Sequence, residues 1–297
     1  MIRTPPRISV IIPAFNRERL ILETLKSIAD QTFSDFECLV VDDGSSDRTK
    51  ELVKDFALKD ERFCLLCRPN TYAKGAPSCR NYGLHLAKGE FVQFFDSDDI
   101  LLREALSDKV QELDADKELQ FVVSKTAFLL SDGQLSYPDQ RLFYPQTFEE
   151  FLEEKSIFFT PGPMFRSVFL KEQKLAFDPS LERHQEFEFY TRLMSGMPKF
   201  KILDKVHCHY RMHTASIKSK SDEAGNLYYR RTKLKAIERI NKNSEYTYVL
   251  ALQRVFRPYA ITTLKVAVYQ RNLAMIWYTL SWMIRFYAAG SIRRLLK

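Results

Sequence analysis

The chain is poor in glycine, with nine in 297 residues, and it carries neither G-x-G-x-x-G nor G-x-x-x-x-G-K-[ST]. Without those backbone cradles for phosphate, the sequence argues against a dinucleotide enzyme or a P-loop NTPase. No apolar run reaches the roughly 20 residues of a bilayer-spanning helix. The segment from Met1 to Ile8 holds no apolar core or small-residue cleavage site of a secretory signal, so a cytoplasmic location is expected. Cysteine is scarce and odd in number (Cys38, Cys64, Cys67, Cys79, Cys208), which fits reduced thiols better than disulfides. There is no internal repeat and no low-complexity segment. Acidic residues are almost missing from the end of the chain. From Gly225 to Lys297, 14 Lys and Arg face only Glu238 and Glu245, so a chain of net +7 is net −5 over residues 1 to 224.

What is present is the composition of a folded protein, 45% hydrophobic, 13% aromatic and 28% charged. The length suits one large domain with an appendage. Ile8 to Ile12 is a β-branched run that Pro13 closes, and Arg19 to Ala29 carries Leu20, Leu22, Leu25 and Ile28 at helical spacing. The unit recurs: Glu37 to Val41 is strand-like, and Asp47 is placed to cap a helix carrying Leu52, Val53 and Phe56. A strand at Phe63 to Cys67, a helix over Arg80 to Ala87 and a strand at Glu90 to Phe95 follow. This alternation predicts a mostly parallel sheet with helices on both faces. Beyond residue 100 the pattern is mixed: helices near Glu104 to Leu113, Phe148 to Glu154 and Gln185 to Met194, strands near Phe121 to Leu130 and Lys201 to Tyr210, and turns at Ser131-Asp132-Gly133 and Pro161-Gly162-Pro163.

Ligands of such sheets bind beyond the carboxyl ends of the strands, and polar residues collect at three of those ends. Asn16 follows the first strand. Asp42-Asp43-Gly44-Ser45 ends the second, where a carboxylate can accept from a base N–H or a ribose hydroxyl, or merely shape a turn. Asp96-Ser97-Asp98-Asp99 ends the fourth. If strand geometry persists there, Asp96 and Asp98 share a face, and a hard cation such as Mg²⁺ or Mn²⁺ with a phosphate-bearing ligand relieves their repulsion. The competing assignment is a cap for a helix starting near Leu101. His207, Cys208 and His209 with Cys64 and Cys67 make a poor zinc set, since the two cysteines point to opposite faces of a strand.

Ile8-Ser9-Val10-Ile11-Ile12-Pro13-Ala14-Phe15-Asn16, Gln31-Thr32-Phe33, Val41-Asp42-Asp43-Gly44-Ser45-Ser46-Asp47, Arg80-Asn81, Ala87-Lys88-Gly89-Glu90 and Phe95-Asp96-Ser97-Asp98-Asp99, in that order and spacing, resemble family 2 glycosyltransferases of the GT-A fold. The resemblance covers the first hundred residues strongly, weakens to about residue 215 and does not reach residues 225 to 297. It implies an α/β, Rossmann-like nucleotide-diphospho-sugar transferase fold with a mostly parallel central sheet and a C-terminal helical extension. Residues 1–220 would be catalytic, with 1–100 binding the nucleotide sugar and 101–220 the acceptor, and residues 221–297 the basic extension. The implied activity is inverting transfer of one sugar from a nucleoside diphosphate sugar, a UDP-sugar by family habit, with Mn²⁺ or Mg²⁺ bridging the diphosphate. Pro13, Ala14, Asn16, Asp43 and Arg80 would meet the nucleotide, Asp96 the ribose or metal, and Asp98 the metal. In Tyr210-Arg211-Met212-His213-Thr214-Ala215-Ser216, His213 would lie near the diphosphate. The family's Glu-Asp pair corresponds here to Gln185-Glu186, which makes Glu186 the base for the acceptor hydroxyl with Glu188 as its rival. That departure also leaves open a catalytically silent relative that binds nucleotide sugar or partners.

The Gln-x-x-Arg-Trp motif of the family's processive synthases is absent, which points to one sugar per encounter, on a glycan or lipid-linked acceptor of a surface polysaccharide. Leu273 to Ile284 is apolar, contains Trp277, Tyr278 and Trp282, and is stopped by Arg285. With Arg271, Arg293 and Arg294 nearby, it fits a helix at a lipid headgroup boundary, drawn to anionic lipid on the inner face of the cell membrane. Packing on the core or dimerisation are the alternatives. Nucleic acid is not expected, as no binding motif accompanies the charge.

Overall fold

The computed structural model describes residues 5–139, 145, 148–152, 156–181, 184–212, 232, 234 and 260–295. Residues 1–144, 158–182 and 198–214 form one compact unit, and residues 145–157, 183–197 and 215–297 a second.

The first unit is built on a nine-stranded sheet. β1 (Ile8–Ala14), β2 (Phe36–Asp42), β3 (Phe63–Cys67) and β4 (Phe91–Phe94) are its parallel part, in the order β3-β2-β1-β4. β5 (Ile100–Leu101), β6 (Phe121–Leu129), β7 (Leu135–Ser136), β8 (Pro163–Arg166) and β9 (Phe200–Arg211) extend it as β4-β8-β6-β9-β5, with β7 pairing β6. The direction changes at β8, which runs antiparallel to both β4 and β6, while β9 runs parallel to β6. Every residue of β1 and β4 is buried, the signature of strands covered on both faces.

Pro13 does not close β1; the strand runs on to Ala14, with Pro13 opposite Val41. The Ile11 carbonyl accepts from the Phe95 N–H at 3.0 Å, and the Ala14 carbonyl from the Asp43 N–H at 2.9 Å. Alternate residues face opposite neighbours, so Pro13 faces β4 just past that strand's last paired residue, where a missing N–H costs no ladder bond.

The helices of this unit are α1 (Ile21–Ala29), α2 (Thr49–Ala57), α3 (Ala76–Leu86), α4 (Ala105–Ala115) and α6 (Ser167–Glu172). α1 buries Ile21, Thr24, Leu25 and Ile28 and leaves Leu22 exposed, so the expected stripe is corrected by one position. Asp47 accepts from the Thr49 N–H at 2.9 Å, which steadies the start of α2 from one residue before its formal cap. α3 begins four residues earlier than the sequence suggests, because Gly75 at φ 126° turns the chain and Pro77 sits in the first helical turn. α6 was not foreseen; it is a short turn directly after β8.

Two glycines are fixed by close approach. A side chain on Gly83 would strike Ile11 Cγ2 at 2.5 Å, and one on Gly89 would strike the Ser9 N at 2.5 Å. The Lys88-Gly89 pair therefore seats the chain against β1 as it enters β4. The motif residue Gln31 is also structural: its amide nitrogen donates to the Leu102 carbonyl at 2.8 Å and its oxygen accepts from the Leu106 N–H at 3.1 Å.

The second unit contains α5 (Phe148–Leu152), α7 (Gln185–Met194), α8 over 260–269 and α9 (Leu273–Leu295). Ala267 and Met275 pack α8 on α9. Arg285 does not end the last helix, which continues for 23 residues in all; no helix among the described residues is long and apolar enough to cross a membrane.

Candidate functional site

At the carboxyl ends of β1 and β2, two loops are stitched together. Asn16, at φ 52°, takes the left-handed conformation that asparagine tolerates. Its amide N–H donates to Ser45 Oγ at 3.0 Å, and its side-chain oxygen accepts from the Ser46 N–H at 2.9 Å. The Arg17 N–H donates to Thr49 Oγ1 at 2.7 Å and the Glu18 N–H to Asp47 Oδ2 at 3.1 Å. Asn16 thus holds the second loop, and Phe15 beside it is exposed with Lys74 Nζ 4.5 Å above its ring. Pro13 and Ala14 are buried at the strand end.

The adjacent aspartates divide the work. Asp42 Oδ2 accepts from the Gly44 and Ser45 N–H groups at 2.8 and 3.0 Å, closing the turn around Gly44 at φ 86°. Asp43 points elsewhere: Oδ1 accepts from Arg68 Nε at 2.5 Å and Oδ2 from the Gly75 N–H at 2.9 Å. Arg68 is fixed in turn by the carbonyls of Pro69 and Tyr72. A carboxylate only 7% exposed is tolerated here because a buried charge with a cation and a backbone donor meets its hydrogen-bonding demand. The start of α3 and the end of β2 are thereby tied through Asp43.

At the end of β4, the arrangement expected for Asp96 and Asp98 is corrected. The strand stops at Phe94 and a turn follows, in which the Asp99 N–H reaches the Asp96 carbonyl at 3.4 Å. The two carboxylates do not rest on strand alternation, and each has an arginine at hand. Arg80 Nη2 meets Asp96 Oδ1 at 2.5 Å, with Arg80 5% and Asp96 23% exposed. Arg17 Nε lies 3.4 Å from Asp98 Oδ2. Nor does a helix begin at Leu101: Ile100 and Leu101 form β5 against β9, and Asp99 Oδ1 accepts from the Arg211 N–H at 2.9 Å. The Arg211 guanidinium also reaches the Asp98 carbonyl at 2.9 Å and Glu23 at 2.6 Å.

The Arg-Asn pair has two distinct tasks. Asn81 grips the backbone of Phe177 at both ends, its Nδ2 donating to the carbonyl and its Oδ1 accepting from the N–H, each at 2.8 Å. The Phe177 ring then lies 5.1 Å from the Arg80 guanidinium, a cation–π contact that holds Arg80 toward Asp96. Arg68, Gly75, Arg17, Asn81 and Phe177 are the site residues that motif reading passed over. Arg68 and Phe177 belong to no motif, while the pairing of Asn81 with Arg80 was a signal that pointed at both.

In the second unit, Glu188 is fully buried, with Oε1 and Oε2 accepting from Arg192 Nε and Nη2 at 2.7 and 2.9 Å. Glu186 is half-buried on the first turn of the same helix. His213 lies outside the described residues, as do residues 213–231 and 235–259 of the basic segment.

Asp96 and Asp98 are hard oxygen donors of the kind a divalent cation takes. Asp98 is partly exposed, on a turn, with Arg17 Nε 3.4 Å from its Oδ2. No group of three or more His, Cys, Asp or Glu gathers among the described residues, so an ion here would complete its shell with ligand oxygens and water. Cys64 and Cys67 lie on β3 and His207 and His209 on β9, far apart in the strand order, which rules out their joint zinc site.

Three comparisons bear on this geometry. The profile described as Glycosyl transferase family 2 matches residues 9–172. The GalNAc(5)-diNAcBac-PP-undecaprenol beta-1,3-glucosyltransferase of Campylobacter jejuni is 45% identical over 107 residues, which is 36% of this chain and 34% of that protein. The match therefore spans about a third of that relative's length. The crystal structure of Staphylococcus aureus TarS residues 1–349 in complex with UDP-GlcNAc superposes with a TM-score of 0.72 at 22% identity, covering 96% of this chain and 81% of that one. The mannosyltransferase PcManGT of Pyrobaculum calidifontis, in complex with GDP-Man and Mn²⁺, gives 0.61 at 18% identity, covering 98% and 88%.

Proposed function

This chain belongs to glycosyl transferase family 2, with the GT-A α/β fold and a helical C-terminal part, and on that premise we propose that it moves one sugar from a nucleoside diphosphate sugar, a UDP-sugar, to a glycan or lipid-linked acceptor with inversion. Residues 1–220 are read as the catalytic part and 221–297 as a basic extension.

The observation that carries the reading is the pair of braced carboxylates beyond β2 and β4, the two strands that flank β1: Asp43 on Arg68 and Gly75, and Asp96 on Arg80. Such fixed groups, in a crevice beyond a parallel sheet, suit recognition of base, ribose and diphosphate. Pro13, Ala14 and Asn16 would form the wall beside the base, Asp43 would accept from base or ribose, and His213 would lie toward the diphosphate. The TarS complex with UDP-GlcNAc supports a UDP donor, and the Campylobacter relative's name supports an undecaprenol-linked acceptor. An acceptor carried on lipid places the working enzyme at the cytoplasmic face of a membrane, through residues 225–297.

In an inverting transfer the acceptor oxygen bonds to the anomeric carbon as the carbon–oxygen bond to the diphosphate breaks, and the diphosphate leaves with that electron pair. The acceptor proton passes to a carboxylate. Glu186 is assigned that proton, because Glu188 is buried and committed to Arg192. Asp98 and Asp96 would hold a Mn²⁺ or Mg²⁺ ion, which when bound offsets negative charge on the departing diphosphate. Arg80, fixed by Phe177, adds a positive charge that needs no rearrangement.

A thermal-shift screen of UDP, GDP, dTDP and CMP, each with and without Mn²⁺, tests this directly, since a ligand of the folded state raises the melting temperature by mass action. A Mn²⁺-dependent shift with UDP is expected. A shift with none of them would overturn the donor reading and leave a silent scaffold.

A further inference from the structure

α9 presents two opposite faces. Met275, Thr279 and Trp282 are buried, and the Trp282 indole N–H donates to the Leu234 carbonyl at 2.7 Å. Leu273, Trp277, Leu280 and Ile284 are exposed by 70, 72, 37 and 69%. Their spacing of four, three and four residues puts all of them within an arc of about 60° on a helix of 3.6 residues per turn, directly opposite the buried set. α8 adds exposed Val268 and Tyr269. A row of large apolar side chains turned to water is costly unless something covers it.

The charge around it indicates what. After Glu245 the chain has no Asp or Glu at all, and it has eight Lys and Arg from Arg254 to Lys297. Lys265 and Arg271 are exposed on α8 and in the turn before α9. A second copy of the same surface would bring cation against cation, and a cytosolic protein groove would need acidic rims. An anionic bilayer supplies both an apolar interior for the row and negative headgroups for the cations. Tryptophan is also the side chain most at home at that boundary.

We propose that the Leu273, Trp277, Leu280 and Ile284 face of α9 is the surface on which the protein sits on an anionic membrane, the helix lying in the plane of the headgroups. This deepens the lipid-linked acceptor reading and rests on it for its purpose, but the binding itself requires no sugar donor.

The full chain is floated with vesicles of phosphatidylcholine alone and with vesicles in which about one third is phosphatidylglycerol. Binding is expected with the second and roughly tenfold or more weaker with the first. The chain has only two tryptophans, and Trp282 is already buried, so a vesicle-induced blue shift reports Trp277; Trp277→Phe should keep binding and lose the shift. The triple variant Leu273→Ser, Trp277→Ser, Ile284→Ser should lose binding by roughly tenfold or more while its UDP-induced thermal shift is unchanged, which shows it folded. Equal affinity for both vesicles, no binding to either, or full binding by the triple variant overturns the proposal. So does a lipid-free dimer that the triple variant converts to a monomer, which would make the face a contact between copies. Failure of the donor reading appears separately, as loss of the UDP shift in a protein that still binds vesicles.

Discussion

Arg80 and Asp96 meet at 2.5 Å with the arginine almost wholly buried, and the ring behind that arginine is held by Asn81, the next residue in the chain. One dipeptide thus supplies both a charge and the clamp that aims it.

Replacing Arg80 by Met should remove the UDP-induced thermal shift and lower unfolding free energy by about 1–3 kcal/mol, since Asp96 loses its charged partner but retains some access to water. Asn81→Ala leaves Arg80 in place and frees Phe177. It should cost about 1–2 kcal/mol and weaken UDP binding less than Arg80→Met does. Urea unfolding and the nucleotide screen measure both.

The two neighbouring aspartates should respond differently to the same change. Asp42→Asn keeps an acceptor oxygen for the Gly44 and Ser45 amides and should cost about 1 kcal/mol or less. Asp43→Asn strands the buried Arg68 guanidinium and should cost about 2–4 kcal/mol together with nucleotide binding. Equal effects in urea melts would refute the division of roles.

Glu186→Gln should abolish sugar transfer while the UDP shift persists. Glu188→Gln should instead destabilise by about 2–4 kcal/mol, because a buried Arg192 pair loses its negative member. Product release measured at a temperature where both variants are folded separates loss of the base from loss of the fold.

Asp98→Asn should make the UDP shift insensitive to Mn²⁺, and a chelator should reproduce that behaviour in the unaltered protein. A Mn²⁺ response that survives the substitution would remove Asp98 from the metal.

Burial and the neighbouring Lys109 hold the His207 imidazole down at about 4, against the pull of Asp108 2.9 Å away. Burial brings the Lys109 amine down to about 7, where it donates to Gln93 Oε1 and the Pro161 carbonyl. In both cases the unfolded chain binds the proton more tightly, so stability rises with pH, from 4 to 6.5 for His207 and from 7 to 10.5 for Lys109, by at most about 1.4 kcal/mol per pH unit for each. Lys109→Met should flatten the rise between pH 7 and 9 in urea melts, whatever its offset. A slope unchanged by that substitution would disprove the assignment.

The parallel half of the sheet was readable because its strands are mostly apolar and alternate with segments whose apolar residues fall at helical spacing, as in α1 and α2. Asn16, Asp43, Asp96 and Asp98 stood out as candidates because each follows a strand end within a recognisable motif, and Arg80 because it stands in the Arg-Asn pair on α3. Arg68 and Phe177 did not: their importance comes from partners 25 and 96 residues away, and no local period encodes such a pairing. The turn at Asp96 has a related cause. Whether a strand continues past its last apolar residue depends on its neighbours, and β8 supplies pairing only as far as Gln93.

That same pairing has a consequence for the protein's birth. β4 is finished at Phe94, but its outer edge is closed by β8 only after Arg166 has been made, roughly 75 residues later for the Phe91 to Arg166 pair. At ribosomal speeds the open strand edge persists for on the order of 4–15 s. An unpaired edge is an invitation to pair with the wrong chain. The parallel half of the sheet therefore emerges first and waits, adhesive, for the strand that completes it.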